Sequence, residues 1–583
     1  LKVGISVAAA TADLDALQHT IGVNLPPDEK ATLSISLTPF QEELVGKNRK
    51  PLLMLLAAVA GLLLVGCINV TNLLLARAVG QKQRMAVAAA LGARRAELVR
   101  MALREIIALA AAGGAFGILL AMATVPAMQR YLPPALDFRG PLHLDWAGAG
   151  CALLLAVFAT VLAGAAPAFM VSRTAPNEVL HSESRLASES RASRRMRRLL
   201  VGFEVAVSVV LVLMTGLLTT SLLNLIHVDR GFSAARTMTA TIDLPAMSYP
   251  DDQHRAPFYR EVLDRMDRLP GVEHAAITSS LPLSGDSWGD MARVAGDTRP
   301  VTQLPLESFR WVSPDYFSAI HLPLIAGHPF TQSDWGRNLA LVSEKTAKSL
   351  WPGKDPVGQH FSRGDPDKGE KPFTVIGVVA NARTVSLAKP DPMMIYVPYW
   401  YRCDSMAGLV VRTRQDPSEM ADAIRQTIWS VDRGATVPRV QTLGGLVADS
   451  VATQRFEADL LVLFAASALF LAGLGIYGVV TYSVVQRYRE IGLRMALGAQ
   501  RAAVYRLVLS DGLFPVLLGA AAGVALAFGS ARLVSNLLFQ VSPYDPSIAV
   551  GAVFVLLAVG ATACMLPARR AAAVEPMQAL RTE

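Results

Sequence analysis

The sequence predicts an α-helical integral membrane protein with seven transmembrane helices, arranged as two similar halves, and a large extracytoplasmic domain of mixed α/β type. Three observations predict this. Seven segments are apolar over lengths that suit a bilayer. Lysine and arginine collect in alternate connections between them. One stretch of the first half returns, without a gap, in the second.

A helix needs about 20 apolar residues to cross the hydrocarbon core. The spans are expected at 52–76, 103–128, 146–170, 199–225, 458–485, 504–537 and 547–566. The longer ones must tilt or project beyond the core. Any single run reads equally well as a buried core helix. Seven of them in one chain, almost free of charge, do not. Composition agrees: 52% of the 583 residues are hydrophobic and the mean hydropathy is +0.37, which argues against a purely soluble chain of this length.

The repeat carries the two-half reading. Residues 81–121 align on 487–527 at a constant offset of 406. Shared Ala and Leu richness explains part of the match. It does not explain Gly92/Gly498, Arg95/Arg501, Arg100/Arg506, Gly113/Gly519 and Gly117/Gly523, nor the meeting of Glu105 with Asp511. Each copy is a basic amphipathic stretch running into a long apolar segment, as in a membrane protein of two equivalent parts. The last spans repeat too, with Pro167–Ala168 matching Pro567–Ala568 at an offset of 400.

Charge sets orientation. The net charge is +8. Its basic residues sit in short connections beside the apolar blocks, at 77–100, 173–198, 486–503 and the tail. The connection 129–145 has only Arg130 and Arg139, and 538–546 has neither Lys nor Arg. The positive-inside rule therefore places the four basic regions in the cytoplasm, and residues 129–145, 226–457 and 538–546 outside. The same rule explains the basic balance without nucleic acid. The cluster Arg194–Arg195–Met196–Arg197–Arg198, against a span, reads as an inner-leaflet anchor. Cys67, Cys151 and Cys564 lie in apolar blocks and Cys403 has no local partner, so neither a disulfide framework nor a cysteine zinc site is expected.

In the outer region, strand-like runs occur at Thr237–Leu244, Ala275–Thr278, Phe373–Val379, Met394–Val397 and Leu409–Thr413. Helical periodicity marks Asp252–Arg268 and Ser418–Val431. Leu17–Ile21 resembles Ile424–Ile428, and Ser36–Thr38 resembles Val440–Thr442. The chain is thus expected to open inside a first outer domain, with an eighth span ahead of residue 1 in a symmetric parent. A seven-span protein with a degenerate first half is the alternative. The expected regions are a remnant of the first outer domain (1–50), a three-helix unit (51–172), a basic linker (173–198), a span opening the second unit (199–226), the outer domain (227–456), and a second three-helix unit with its tail (457–583).

The chemistry-bearing stretch is Arg489–Glu490–Ile491–Gly492–Leu493–Arg494–Met495–Ala496–Leu497–Gly498–Ala499. Ile491, Met495 and Leu497 mark an apolar side, and Arg487, Glu490, Arg494 and Arg501 supply polar contacts. Gly498 suits the end of a short helix, because glycine tolerates left-handed backbone there. Such a helix lies along the inner membrane surface. It is either a simple interfacial anchor or an element that docks into a partner protein. The repeat favours docking, since two equivalent elements suit a partner with two equivalent sites. In the first copy the corresponding residues are Arg84, Gly92 and Arg95. There the acidic residue is absent at Arg84 and the basic one at Ala88.

This motif, followed by a glycine-bearing span, resembles the FtsX-type permease domain of ABC transporters. The outer region resembles the MacB-like periplasmic core on Val312–Ser313–Pro314–Asp315–Tyr316–Phe317, Leu324–Ile325–Ala326–Gly327–His328–Pro329–Phe330, Trp351–Pro352–Gly353–Lys354–Asp355–Pro356–Val357–Gly358 and Val375–Ile376–Gly377–Val378–Val379. Two such units in one chain resemble duplicated orphan permeases of the acidobacterial type. The resemblance implies a multi-pass protein of the bacterial inner membrane with its large domain in the periplasm. It implies a separate cytoplasmic ABC ATPase dimer that grips the coupling helices, and motion passed outward for export or extrusion. A periplasmic adaptor or outer-membrane component is a further partner it allows. It implies no catalytic residue, cofactor or metal in this chain. Rival readings are an ion-coupled secondary transporter and a membrane-anchored assembly protein with no energy cycle.

Few ionisable groups lie in the spans, so no carboxylate chain suggests an ion pathway. The candidate intramembrane acids are Glu105, Asp511 and Glu204. The first two are expected to pair with Arg100 or Arg104 and with Arg506, or to mark the inner leaflet boundary. Gly113/Gly117 and Gly519/Gly523 permit close helix packing. Two decoys are set aside. Gly364–x4–Gly369–Glu370–Lys371–Pro372 lacks the Lys-Ser/Thr ending and the strand–loop–helix setting of a phosphate loop, so ATP hydrolysis is expected from another chain. Gly285–Asp286–Ser287–Trp288–Gly289 matches a nucleophile elbow in letters, but no buried strand precedes it.

Overall fold

The computed structural model describes residues 5–23, 37–40, 42, 46, 49–90, 95–129, 131–133, 145–172, 191–285, 288–300, 303–363, 371–390 and 392–573. Within these, the side chains of 75–90, 95–107, 109, 162–172, 191–194 and 489 lie outside the described set. The chain divides into two compact units. One holds residues 1–45 and 225–452, the other 46–224 and 453–583.

The first elements are helical. Helix α1 (Val7–Val23) belongs to the outer unit. It contains Leu17–Ile21, whose likeness to Ile424–Ile428 is thus a likeness between two helices. The membrane unit follows with α2 (Arg49–Ala90), α3 (Arg95–Gln129), α4 (Trp146–Ser172) and α5 (Arg191–His227). In α5 the apolar run begins at Leu199, directly after Arg197 and Arg198. The buried positions Val201, Val205 and Val209 recur every four residues, and Glu204, Ala206, Ser208, Leu211 and Leu213 are buried beside them, so α5 packs against neighbours on more than one side.

The outer unit then builds an 11-stranded sheet. Its elements in order are β1 (Thr237–Asp243), α6 (Asp252–Asp267), β2 (Val272–Thr278), β3 (Trp288–Val294), β4 (Leu306–Val312), α7 (Tyr316–Ala319), β5 (Leu324–Gly327), β6 (Leu339–Ser343), α8 (Glu344–Leu350), β7 (His360–Arg363), β8 (Phe373–Val379), β9 (Met394–Pro398), β10 (Met406–Thr413), α9 (Ala421–Val431), β11 (Val440–Thr442) and α10 (Leu443–Ser450). Strands β11, β1, β10 and β2 form one antiparallel run. Helices α6 and α9 cover it with Tyr259, Val262, Met266, Ile424 and Ile428, all at most 1% exposed. Asp251 starts α6 by accepting the His254 N–H at 3.1 Å, the usual work of an N-cap carboxylate.

The other strands close on themselves. β4 pairs β3, β3 pairs β7, β7 pairs β8, β8 pairs β6, β6 pairs β9, and β9 returns in parallel to β4. Closure removes the exposed edges that short strands otherwise present. Trp311, Val342, Phe361, Phe373, Val375 and Ile395 form the core of this ring. β5 adds to β8, and its last residue, Gly327, has φ +80°. A Cβ there would lie 2.6 Å from the Cα of Gly377, so the glycines of two of the quoted motifs meet where the two backbones touch.

Four further helical elements return to the membrane unit: α11 (Ala452–Gln486), α12 (Tyr488–Ala496), α13 (Arg501–Val534) and α14 (Pro546–Ala572). Six helices in the chain are long and apolar enough to cross a membrane among the described residues. The seventh expected span is helical throughout as α4, but its described apolar part is Trp146–Val161. Several strands escaped the sequence reading: β3, β4, β5, β6, β7 and β11. β5, β6, β7 and β11 have three to five residues each, and in the longer β3 and β4 charged residues break the alternation. Glu307 and Arg310 sit fully inside β4.

Candidate functional site

Helix α12 carries the motif read as a docking element. The carbonyl of Arg487, at its N-cap, accepts the Ile491 N–H at 2.8 Å. Glu490 and Arg494 are one turn apart and pair at 2.7 Å. Both are about half exposed, so the pair contributes little stability and leaves both charges available. Ile491 is 2% exposed and packs with Val484, Val504 and Val508, which pins the helix to the spans. Gly498 has φ +96°, and the Ala499 N–H returns to the Arg494 carbonyl at 3.0 Å. The helix thus ends in the left-handed turn the sequence indicates. Leu497 departs from expectation. It does not join Ile491 on the inward side but is 81% exposed, because α12 stops at Ala496 and the turn carries the next side chain out. With Leu493, 52% exposed, it presents an apolar pair beside the Glu490–Arg494 charges.

Asp511 lies in α13. Its Oδ2 accepts from Arg487 Nη1 at 2.6 Å, and its Oδ1 from Arg198 Nη2 at 3.3 Å. The expected pairing with Arg506 is therefore replaced. The reason is helical phase: five residues rotate the chain well past the one-turn positions where side chains meet, and Arg506 is exposed. One carboxylate joins the start of α12, the inner end of α5 and the body of α13.

Glu204 is fully buried in α5. Its Oε1 accepts from Asn69 Nδ2, on α2, at 2.7 Å, and Asn69 Nδ2 also donates to the Leu471 carbonyl of α11 at 2.9 Å. Gly475 makes room, since a Cβ there would lie 2.9 Å from Glu204 Cδ. Sequence reasoning missed Asn69. The available signal was a pair of amides, Asn69 and Asn72, within an apolar span.

Gly519 and Gly523 do pack. A Cβ on Gly519 would lie 2.9 Å from Val205 Cβ, and one on Gly523 would lie 2.7 Å from both the Ala206 carbonyl and Val209 Cβ. Helices α13 and α5 therefore touch backbone to backbone. The first-copy pair differs. A Cβ on Gly113 or Gly117 would meet nothing within 4 Å among the described residues. Gly92 lies outside the described residues, as do the side chains of Arg84, Arg95 and Glu105.

The decoys resolve in the same terms. The stretch Gly364–Gly369 lies outside the described residues but joins β7 to its antiparallel neighbour β8, which is not a strand–loop–helix setting. Ser287 also lies outside them, and Trp288 begins a strand rather than a helix.

Comparison with known proteins gives matches that cover most of the chain. The FtsX-like permease C-terminal family matches residues 56–176 and again 462–576. The MacB-like periplasmic core domain matches 205–442. Among curated relatives, the pyoverdine export ATP-binding/permease protein PvdT of Pseudomonas putida is 28% identical over 45% of this chain and 41% of its own length. The macrolide export ATP-binding/permease protein MacB of an Azoarcus species is 28% identical over 46% of this chain and 42% of its own. The ABC transporter permease YknZ of Bacillus subtilis is 25% identical over 47% and 69%. The chain thus spans about two fifths of the length of the first two relatives.

Proposed function

We propose that the chain, in which two FtsX-like regions flank a MacB-like periplasmic core in sequence, is a multi-pass inner-membrane permease of the MacB/FtsX type, the subunit of an ABC transporter that converts ATP-driven motion into movement of its periplasmic domain. A separate cytoplasmic ATPase dimer supplies the hydrolysis and grips α12 through Glu490, Arg494, Leu493 and Leu497. Arg487, Ile491 and Gly498 hold that helix in place. The first copy, with Arg84, Gly92 and Arg95, offers the second and weaker docking element. Relatives named for export suggest that substrate leaves the cell side, and a periplasmic adaptor or outer-membrane component completes the route.

The observation that carries this reading is the bridging carboxylate of Asp511. It ties α12 to α5 and α13 through Arg487 at 2.6 Å and Arg198 at 3.3 Å. A push on α12 is passed to two spans through one ion cluster rather than absorbed by a loop. The described spans hold few acids and no ladder of them, which favours this over an ion-coupled transporter.

The test is stimulation of the partner's ATPase by this chain in proteoliposomes, with Glu490→Arg and Arg494→Glu. Each reversal leaves a like-charge pair on α12 and is expected to lower stimulation roughly tenfold, the scale of a disrupted interfacial charge pair. Unchanged stimulation in both variants defeats the docking role of α12.

A further inference from the structure

Strand β5 buries neither of its faces: all of its residues are exposed, Ile325 by 54%. A strand in a folded domain ordinarily packs at least one face on a core. β5 is held by its backbone, which pairs with β8 on one side and with no described strand on the other. It carries no charge, the usual guard of an open edge. Beside it lies a groove of about 500 Å³. The exposed residues that line the groove are Ile325, Ala326, Lys348, Pro352, Gly353 and Lys354. Lys348 is answered by Glu344 of the same helix at 2.5 Å. Lys354 makes no ion pair among the described residues. Asp355, next in the chain, turns its carboxylate to the Val357 N–H at 3.0 Å.

We propose that the free edge of β5 takes up an extended segment of a partner protein outside the membrane and adds it as a strand. Apolar side chains at alternate positions lie against Ile325 and Pro352, and an acidic side chain meets Lys354. Main-chain pairing gives an added strand its hold, and the neighbouring groove reads every second side chain. The acidic position follows from charge complementarity, since Lys354 is the cation of the lining that has no anion of its own. The proposal rests on the outer unit alone and not on α12 or an ATPase partner.

The experiment is fluorescence anisotropy of labelled heptapeptides with the full chain in detergent. TVTVTET and TETVTVT put two valines and one glutamate on a single face, one peptide for each strand direction. One of them is expected to bind. N-methylation of one alternate set of its residues should weaken binding roughly tenfold, by removing the donors that face β5, and methylation of the other set should change little. Lys354→Glu is expected to weaken the acidic peptide about tenfold and to bind the version with lysine in place of glutamate nearly as well as the unaltered chain binds the acidic one. Lys389→Glu, outside the groove, changes nothing. Failure of both peptides to bind overturns the proposal. So do equal effects of the two methylation sets, or a Lys354→Glu loss no larger than that of Lys389→Glu. A dimer of the chain that Ile325→Lys dissociates, with neither peptide bound, gives the edge to a second copy and overturns it as well.

Discussion

The carboxylate of Asp511 lies 2.6 Å from the guanidinium of Arg487, the residue at which helix α12 begins. These two residues are 24 positions apart in sequence. The turn at Gly498 brings them together by folding α13 back along α11. The contact is only partly exposed, so it is worth more than a free surface pair yet well below a buried one. Its value is in geometry: Asp511 has two oxygens, and the second reaches Arg198 on another span.

Asp511→Asn is therefore expected to separate coupling from binding. The amide keeps the shape and loses the charge. Stimulated ATP hydrolysis should fall several-fold, while the partner ATPase still co-purifies with the chain. The melting temperature should fall modestly, for a cost of about 1–2 kcal/mol, between that of an exposed pair and a buried one. Loss of ATPase co-purification would assign Asp511 to docking instead.

The two glycine pairs should behave differently. Gly519→Leu or Gly523→Leu forces a side chain into the α5 backbone and is expected to destabilise the membrane unit by roughly 1–3 kcal/mol. Gly113→Leu and Gly117→Leu meet open space among the described residues and should be near neutral. Thermal unfolding in detergent reads both. Equal effects at the two pairs would contradict the contacts described for α13.

Asn69→Ala removes the donor that Glu204 Oε1 uses. A buried acceptor left without a partner costs roughly 1–3 kcal/mol. Glu204→Leu in the Asn69→Ala background should recover part of that loss, because the cycle then removes both members of the pair. If the two changes add simply, the Asn69–Glu204 contact is not the source.

Glu307, buried in β4 of the outer domain, offers a pH test. Burial pushes its carboxyl up to about 7, against the lowering effect of its bond from Thr346 Oγ1 at 2.9 Å. The folded domain thus holds this proton more tightly than the unfolded chain does. Its contribution is fully present below about pH 4.5 and is lost as pH rises to about 7, a swing of roughly 3 kcal/mol at most. Hydrogen exchange across 306–312 in the full chain should quicken over that window. Glu307→Gln should flatten the dependence, and an unchanged slope in that variant would move the effect to another group.

Sidedness is checked by labelling cysteines introduced at Arg195 and Lys345 after replacing the four native ones, all free thiols. The first should react only from the cytoplasm and the second only from outside. Reaction of both from one face would remove the outward route for motion.

Much of the fold was legible in the chain. The spans, the α12 motif, the Gly498 turn and the helices α6 and α9 rest on local signals: apolar length, charge flanks, periodicity and one conformationally permissive residue. The interior of the outer domain was less legible. Strand β4 holds Glu307 and Arg310 fully inside, so its alternation looks polar, and β7 is only four residues long. In the membrane unit, Asp511 stood out as a charge in a span, but its partners did not, because Arg198 lies 313 residues away.

By itself, the sequence determined that this protein crosses the membrane repeatedly, which way its basic connections face, and that its two ends share one plan. Each of these follows from transfer of short segments between water and lipid, an energy that neighbouring residues settle. Only the tertiary structure decided which arginines Asp511 holds, which glycine pair touches a helix, that six short strands close into a ring, and that Leu497 turns outward. Those outcomes depend on contacts between distant segments, where helical phase and backbone approach choose among partners that look equivalent along the chain.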